Sequence, residues 1–249
     1  MKMLAVDIGN SNISFGIFKG KKMIRTFNLA TGSFKKDALK TRLAGQKIET
    51  CLIASVVPGV TQTVVNSIRQ VIGCKPRIIG KDIKVPMKNL YRYPEKLGID
   101  RLLNAYAGAK LYGKPLIIAD FGTAVTFDIV SKKGEYLGGM ILPGLQLCLN
   151  ALTQNTALLP QARLKKPGAL IGKDTKSSIL SGVIFGYAAL TEGLAKRISS
   201  EIGKARVIGT GGNIGIISRF CPIIDKTDPQ ITLKAINLCY QGDIHAKRQ

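Results

Sequence analysis

Two stretches of this chain, AVDIGNSNISFGIF (Ala5 to Phe18) and IIADFGTAVTFDIV (Ile117 to Val130), follow one plan. In each, an apolar strand ends in Asp-x-Gly-Asn or Asp-x-Gly-Thr, and a second alternating strand follows. Asp120 answers Asp7, Gly122 answers Gly9 and Thr123 answers Asn10, 113 residues further on. One such hairpin is a weak signal. Two, each opening a domain-sized segment, argue for an internal duplication. The turn residues Gly9, Asn10, Ser11 and Asn12 suit tight backbone geometry and need no further explanation. The aspartates do, because a carboxylate at the end of a buried strand is costly unless something pairs with it.

The remaining pattern fits two mixed α/β segments. After the first hairpin, Lys22 to Asn28 reads as a third strand and Phe34 to Ala44 has helical spacing. Cys51 to Val56 reads as a buried strand, Val60 to Ile72 as a helix with one apolar face, and KPRIIG as a short strand. The second half repeats this. Glu135 to Ile141 is a strand, Pro143-Gly144 turns into a helix from Leu145 to Leu152, and Lys173 to Ser199 is mostly helical, with Gly182 and Gly186 as close-packing or bending points. ARVIGTGGN gives a strand and a glycine turn before a helix from Ile214 to Phe220, and a last helix begins near Pro229. Mixed strands and helices place the chain in the α/β class. We expect two domains, residues 1–115 and 116–249, with the helix Arg101 to Leu111 near the boundary.

Two such domains would set their D-x-G turns facing each other across a cleft that suits a nucleotide phosphate chain. Turn N–H groups bind phosphate oxygens. Asp7 and Asp120 would hold Mg²⁺, directly or through water. Gly211 and Gly212, in the turn after the ARVIG strand, add a further backbone approach to the nucleotide.

Composition narrows the chemistry. The five cysteines share no CxxC spacing and their count is odd, a pattern of reducing compartments. With a single histidine, His245, neither a zinc site nor a Cys-His nucleophile has its parts. The N-terminus lacks a signal-peptide core, and the run ILSGVIFGYAAL is too short to span a membrane, so a soluble cytoplasmic protein is expected. The formal charge of +22 attracts polyanions, but the lysines are spread along the chain, with no arginine-rich tail. Surface charge that helps hold a phosphorylated ligand is the better use of it.

A phosphate cradle alone does not make a kinase; a group must also orient and deprotonate the acceptor hydroxyl. Asp100, in YRYPEKLGIDRLLNAYAG, opens an apolar-periodic helix. It reads either as an N-cap or as a general base at the mouth of a cleft. Asp128, inside the second hairpin, reads as a strand-edge polar residue or an aid to cation binding.

Taken together, the pieces resemble the type III pantothenate kinases of the acetate and sugar kinase, Hsp70 and actin superfamily. DIGNSNISFGIF resembles the family's first phosphate motif, with Ser11 where threonine is common, and DFGTAVTFD its second. LGIDRLLNA resembles the G-x-D-R segment, and GGMILPG, NTALLP, GTGGN and the ending DPQITLKAINLCYQ are also family-like. In GKDTKSSILSG, Asp174 stands where asparagine is usual and Ser178 where alanine is usual, while Thr175 and Gly182 are kept.

The resemblance implies duplicated actin-like (ribonuclease H-like) domains flanking a nucleotide cleft. It implies ATP-dependent phosphorylation of pantothenate, the first step of coenzyme A synthesis, with Asp100 as base. It places Gly9, Asn10, Ser11, Asn12, Gly122, Thr123, Gly211 and Gly212 at the phosphates. It places Tyr91, Gly98, Ile99, Arg101 and Thr175 at pantothenate. A homodimer, Mg²⁺ and a monovalent cation, K⁺ or NH₄⁺, are implied as well, with no membrane and no specific nucleic acid as partner. The alternative is an accessory transcriptional regulator of the same fold that binds nucleic acid.

Overall fold

The computed structural model describes residues 1–246. The chain forms two compact units. The first comprises Met1–Met87, Arg92–Ala107 and the segment from Ile231; the second comprises Lys88–Tyr91 and Gly108–Gln230.

The first unit is built on a five-stranded sheet. Its strands are β1 (Lys2–Ile8), β2 (Asn12–Lys19), β3 (Lys22–Ala30), β4 (Thr50–Ser55) and β5 (Arg77–Ile78), in the order β3-β2-β1-β4-β5. β1 runs antiparallel to β2 and parallel to β4. Alternation divides β1 between two faces. Leu4, Val6 and Ile8 join Ile13, Phe15 and Ile17 in a core with Leu39 and Leu43 of α1 (Lys36–Leu43) and Val64 and Ile68 of α2 (Pro58–Ile72). Proline opens α2 and Gly73, at φ 75°, ends it. The other face is covered by α7 (Ile231–Ala246), which packs on β1, β2 and β4. Gly16 admits this helix: a Cβ there would lie 3.2 Å from Leu233. An ion pair of 2.8 Å between Arg77 and Asp243 and a hydrogen bond from Asn237 to the Gly20 carbonyl tie α7 down.

The second sheet repeats the connectivity. Its strands are β6 (Leu116–Phe121), β7 (Ala124–Val130), β8 (Tyr136–Pro143), β9 (Arg206–Thr210) and β10 (Lys226–Thr227), in the order β8-β7-β6-β9-β10. Ile117, Ala119 and Phe121 face a core made with α4 (Leu145–Gln154), α5 (Thr175–Ile202) and α6 (Ile214–Ile217). Leu116 and Ile118 point the other way, toward the C-terminal turn of α3 (Ile99–Tyr112). Gly108 is the point of closest approach, where a Cβ would come within 2.6 Å of Ile118.

A single cut between residues 115 and 116 therefore does not describe the units. The chain changes unit inside α3, at Ala107–Gly108, and again at Gln230–Ile231. α7 follows the second sheet in sequence but buries its apolar face on the first.

Other expectations also shift. α5 runs unbroken for 28 residues through Gly182 and Gly186, and a Cβ at either would enter open space, so neither is a packing or bending point within this chain. Its length and apolarity match those of a membrane span, with mean hydropathy 1.4 over 18 residues, which the short-run argument did not anticipate. Leu180, Val183, Ile184, Ala188, Ala195 and Ile198 of this helix are buried in the second core. α6 ends at Ile217, short of Phe220.

Candidate active site

The first D-x-G turn is closed by the Ile8–Ile13 pair at the end of β1. The Gly9 amide donates to the Asn12 carbonyl at 3.0 Å. Thr31, just past β3, clamps the turn from the side. Its hydroxyl donates to the Gly9 carbonyl at 2.7 Å and its amide to the Ser11 carbonyl at 3.0 Å. The side chains of Asn10, Ser11 and Asn12 are exposed. Asp7 is half-buried, opposite Ser14 on β2, and shares a sheet face with Met3 and Ala5.

The second turn has the same plan within its own unit. Phe121 pairs with Val125, and Asp120 lies opposite Thr126 on β7 and Thr210 on β9. Asp120 is crowded by glycine. A Cβ on Gly122 would be 3.3 Å from its Oδ1, and one on Gly211 would be 2.4 Å away. Gly211 has φ +90°, a backbone state glycine adopts without strain. The Asn213 amide donates to the Phe121 carbonyl at 3.1 Å, so the turn after β9 is stitched to the end of β6. Gly212 and Thr123 are exposed beside it. The structure thus brings Asp120, Gly122, Thr123, Gly211 and Gly212 to one end of the second sheet.

Asp100 is not a helix cap. The Gly98 carbonyl accepts from the Arg101 and Leu102 amides, which makes Gly98 the N-cap and Asp100 the second helical residue. The Asp100 Oδ1 accepts from the Arg101 amide at 2.8 Å. Burial pushes the Asp100 carboxyl above its ordinary range, against the lowering influence of the Arg101 amide and guanidinium. Gly98 leaves room for it, since a Cβ there would stand 2.6 Å from Oδ1. Ile99 packs near Gly80, and Arg101 is buried.

Asp128 lies in the middle of the second sheet, not at an edge, because β7 is flanked by β6 and β8. It is fully buried and accepts from the Tyr136 hydroxyl at 2.8 Å and from Thr126 at 3.1 Å. Tyr91 is half-buried against the Tyr136 ring, whereas Tyr93 is exposed between Arg92 and Lys96. Thr175 is exposed at the first position of α5. Asp174 before it forms a capping box: its Oδ1 accepts from the Ser177 amide at 2.9 Å, and the Ser177 hydroxyl accepts from the Asp174 amide. The Ser177 amide and hydroxyl hold the Asp174 carboxyl below its usual range. This accounts for an acid at a position where either Asp or Asn caps well. Asp174→Asn is expected to leave the unfolding midpoint nearly unchanged, while Asp174→Ala lowers it in denaturant unfolding.

Among the described residues no cluster of three or more His, Cys, Asp or Glu side chains is poised to hold a metal. Asp7 and Asp120 each supply one carboxylate at a turn, with a hydroxyl-bearing partner in register. Taken singly, each carboxylate is a donor that Mg²⁺ accepts alongside retained waters and phosphate oxygens. Thr31 and Gly144, which shape the turns, escaped the sequence reasoning as site residues; Pro143-Gly144 registered only as a turn.

A sequence model of the type III pantothenate kinases matches residues 3–197. The chain belongs to the type III pantothenate kinase family. It is 41% identical over 250 residues to a type III pantothenate kinase of Persephonella marina, covering 94% of this chain and 96% of the relative. It is 38% identical to one from Moorella thermoacetica, covering 96% and 98%. These alignments extend over nearly the whole chain, whereas the family match ends before the Gly211 turn. Among solved structures, a conserved Campylobacter jejuni protein assigned to the Baf family of transcriptional activators superposes with TM-score 0.65 at 19% identity, covering 97% of this chain and 99% of that one. The activator of 2-hydroxyisocaproyl-CoA dehydratase from Clostridium difficile, with bound ADPNP, gives TM-score 0.59 at 14% identity, covering 100% and 97%. At these identities the likeness is one of fold alone.

Proposed function

We propose that this protein transfers the γ-phosphoryl group of ATP to the primary hydroxyl of pantothenate, giving 4′-phosphopantothenate and opening coenzyme A synthesis. The observation that carries this is family membership over nearly the full length, with Asp100 in a desolvated setting at the start of α3. The matching strand orders of the two sheets support a pair of duplicated actin-like domains.

In this reading Gly9 to Asn12 and Gly122-Thr123 offer turn amides to the phosphates, and Gly211 and Gly212 let the backbone approach the nucleotide. Asp7 and Asp120 would hold Mg²⁺, which supplies charge neutralisation between the β- and γ-phosphates when bound. A monovalent cation, K⁺ or NH₄⁺, belongs to the same proposal. Tyr91, Gly98, Ile99, Arg101 and Thr175 line the pantothenate side, with the Arg101 guanidinium complementing the pantothenate carboxylate. Asp100 accepts the proton of the attacking hydroxyl and orients its oxygen toward phosphorus. A homodimer belongs to the same proposal. A cytoplasmic location agrees with five free cysteines.

A coupled kinase assay with pantothenate, ATP, Mg²⁺ and K⁺ tests the reading. Turnover that depends on pantothenate is the expected result. Folded protein that yields no product, but binds duplex DNA with sequence preference at moderate salt, would instead place it among regulators. Asp7→Asn is expected to raise the KM for ATP and lower kcat together, and isothermal titration with nucleotide and Mg²⁺ reads the affinity loss directly.

A further inference from the structure

Lys88–Tyr91 packs with the second unit, although the chain on either side of it packs with the first. This short strap is fixed to Tyr136 on β8. The Leu90 amide donates to the Tyr136 carbonyl and the Tyr136 amide to the Lys88 carbonyl, each at 2.9 Å. Lys88 pairs with Glu135 at 2.7 Å. Within the strap, the Tyr91 amide donates to the Asn89 side chain at 2.9 Å.

The Tyr136 ring is wholly buried and meets the Tyr91 ring edge-on, with centroids 6.2 Å apart. Its hydroxyl donates to Asp128. Asp128 is itself wholly buried, and Thr126 donates to its other oxygen. Burying a carboxylate inside an apolar sheet is costly unless its hydrogen bonds return something specific. Here the return is a ring held at both ends, its backbone by the strap and its hydroxyl by Asp128. Tyr91 then has a fixed surface to pack against.

We infer that Tyr136, locked by Asp128, is a positioning residue that sets the affinity for the acceptor by fixing the Tyr91 ring. The inference rests on the assignment of Tyr91 to the pantothenate side. It predicts a split between the two substrates, because neither Tyr136 nor Asp128 belongs to the phosphate-binding set.

The test is steady-state kinetics, with ATP and pantothenate varied separately, on Tyr91→Ala, Tyr136→Leu, their double variant and Tyr136→Phe. Tyr136→Leu should raise the KM for pantothenate roughly 2- to 10-fold, the range of one edge-to-face aromatic contact. The KM for ATP should stay within about twofold, and the double variant should be no worse than Tyr91→Ala, because coupled residues are not additive. Tyr136→Phe, which keeps the ring and core volume, should show a smaller rise of the same kind; it decides the matter if the leucine variant does not fold. Additive effects, a parallel rise in both KM values, or a folded Tyr136→Phe with unchanged pantothenate KM would overturn the inference. If Tyr91→Ala leaves pantothenate KM unchanged in an active kinase, the Tyr91 assignment fails and takes the inference with it. Absence of pantothenate turnover in the wild-type protein would strike the kinase reading itself.

Discussion

Asp100→Asn is expected to lower kcat by ~10²–10⁴-fold, the range for a positioned acid–base group, while nucleotide affinity stays near wild type. Phosphoryl transfer through a loose transition state asks the base mainly to orient the hydroxyl, which favours the lower end of that range. The geometry keeps the fold out of the experiment. Asp100 is the second residue of α3 and the cap is Gly98, so the substitution removes no cap. The asparagine oxygen can still accept from the Arg101 amide.

Stability should move in the opposite direction from activity. Burial raises the Asp100 carboxyl above its ordinary value, so the folded state favours the protonated form. The stability this contributes is fully present below the unfolded pKa and is lost as pH rises through the raised folded value. At neutral pH the ionised carboxylate therefore costs stability, and the asparagine variant should unfold at the same temperature or higher. On the proposed role of Asp100 as base, kcat/KM is expected to fall at acid pH as Asp100 protonates, with a midpoint above that of an ordinary aspartate. Thermal unfolding, pH profiles and nucleotide titration of the one variant read all three. Near-normal turnover in folded Asp100→Asn would remove Asp100 from the role of base.

The hairpins were legible because their signals are local. The apolar runs Leu4 to Ile8 and Ile117 to Phe121 identify the strands, and the D-x-G turns identify their ends. Asp7 and Asp120 stood out because an acid at a buried strand end conflicts with its surroundings. What was not legible depends on distant partners. The apolar face of α7 shows that the helix is buried, but not that it is buried on the first sheet, with its Leu233 against Gly16. Asp128 looked peripheral because nothing in the pattern brings the Tyr136 hydroxyl to it from the neighbouring strand. Gly182 and Gly108 look alike in sequence, yet a side chain meets open space at one and Ile118 at the other. Asp100 suggested a cap because the last glycine before a helix and the first acid within it are adjacent, and periodicity does not fix a helix start to one residue.

Gly144→Ala is expected to distort the Gly122-Thr123 turn without replacing any residue proposed to bind nucleotide. Gly144 has φ −73° and ψ 163°, which alanine adopts without strain, so the backbone conformation is not the obstacle. The obstacle is position. A Cβ there would lie 2.1 Å from the Thr123 carbonyl oxygen and 2.8 Å from that of Gly122, and both are backbone atoms that cannot rotate aside. Gly144 is also anchored, as the cap of α4, by the hydrogen bond its carbonyl accepts from the Cys148 amide at 3.0 Å. One side of the contact must shift, and the turn between Phe121 and Val125 is the shorter, less supported side. Overpacking of this kind costs about 1–3 kcal/mol. Because the strain falls on Gly122 and Thr123, ATP affinity should drop along with stability, whereas Thr31 and the first turn lie in the other unit and keep their hydrogen bonds. Gly193→Ala in α5 is the control. It is an exposed mid-helix glycine with open space where the Cβ would go, so it should stabilise by roughly 0.5–1 kcal/mol and leave nucleotide binding alone. Denaturant unfolding and calorimetric titration with nucleotide, run on both variants, separate the steric effect from the general effect of adding a methyl group. Wild-type ATP affinity in folded Gly144→Ala would mean that Thr123 is not held against α4 as described and that its turn does not depend on this contact.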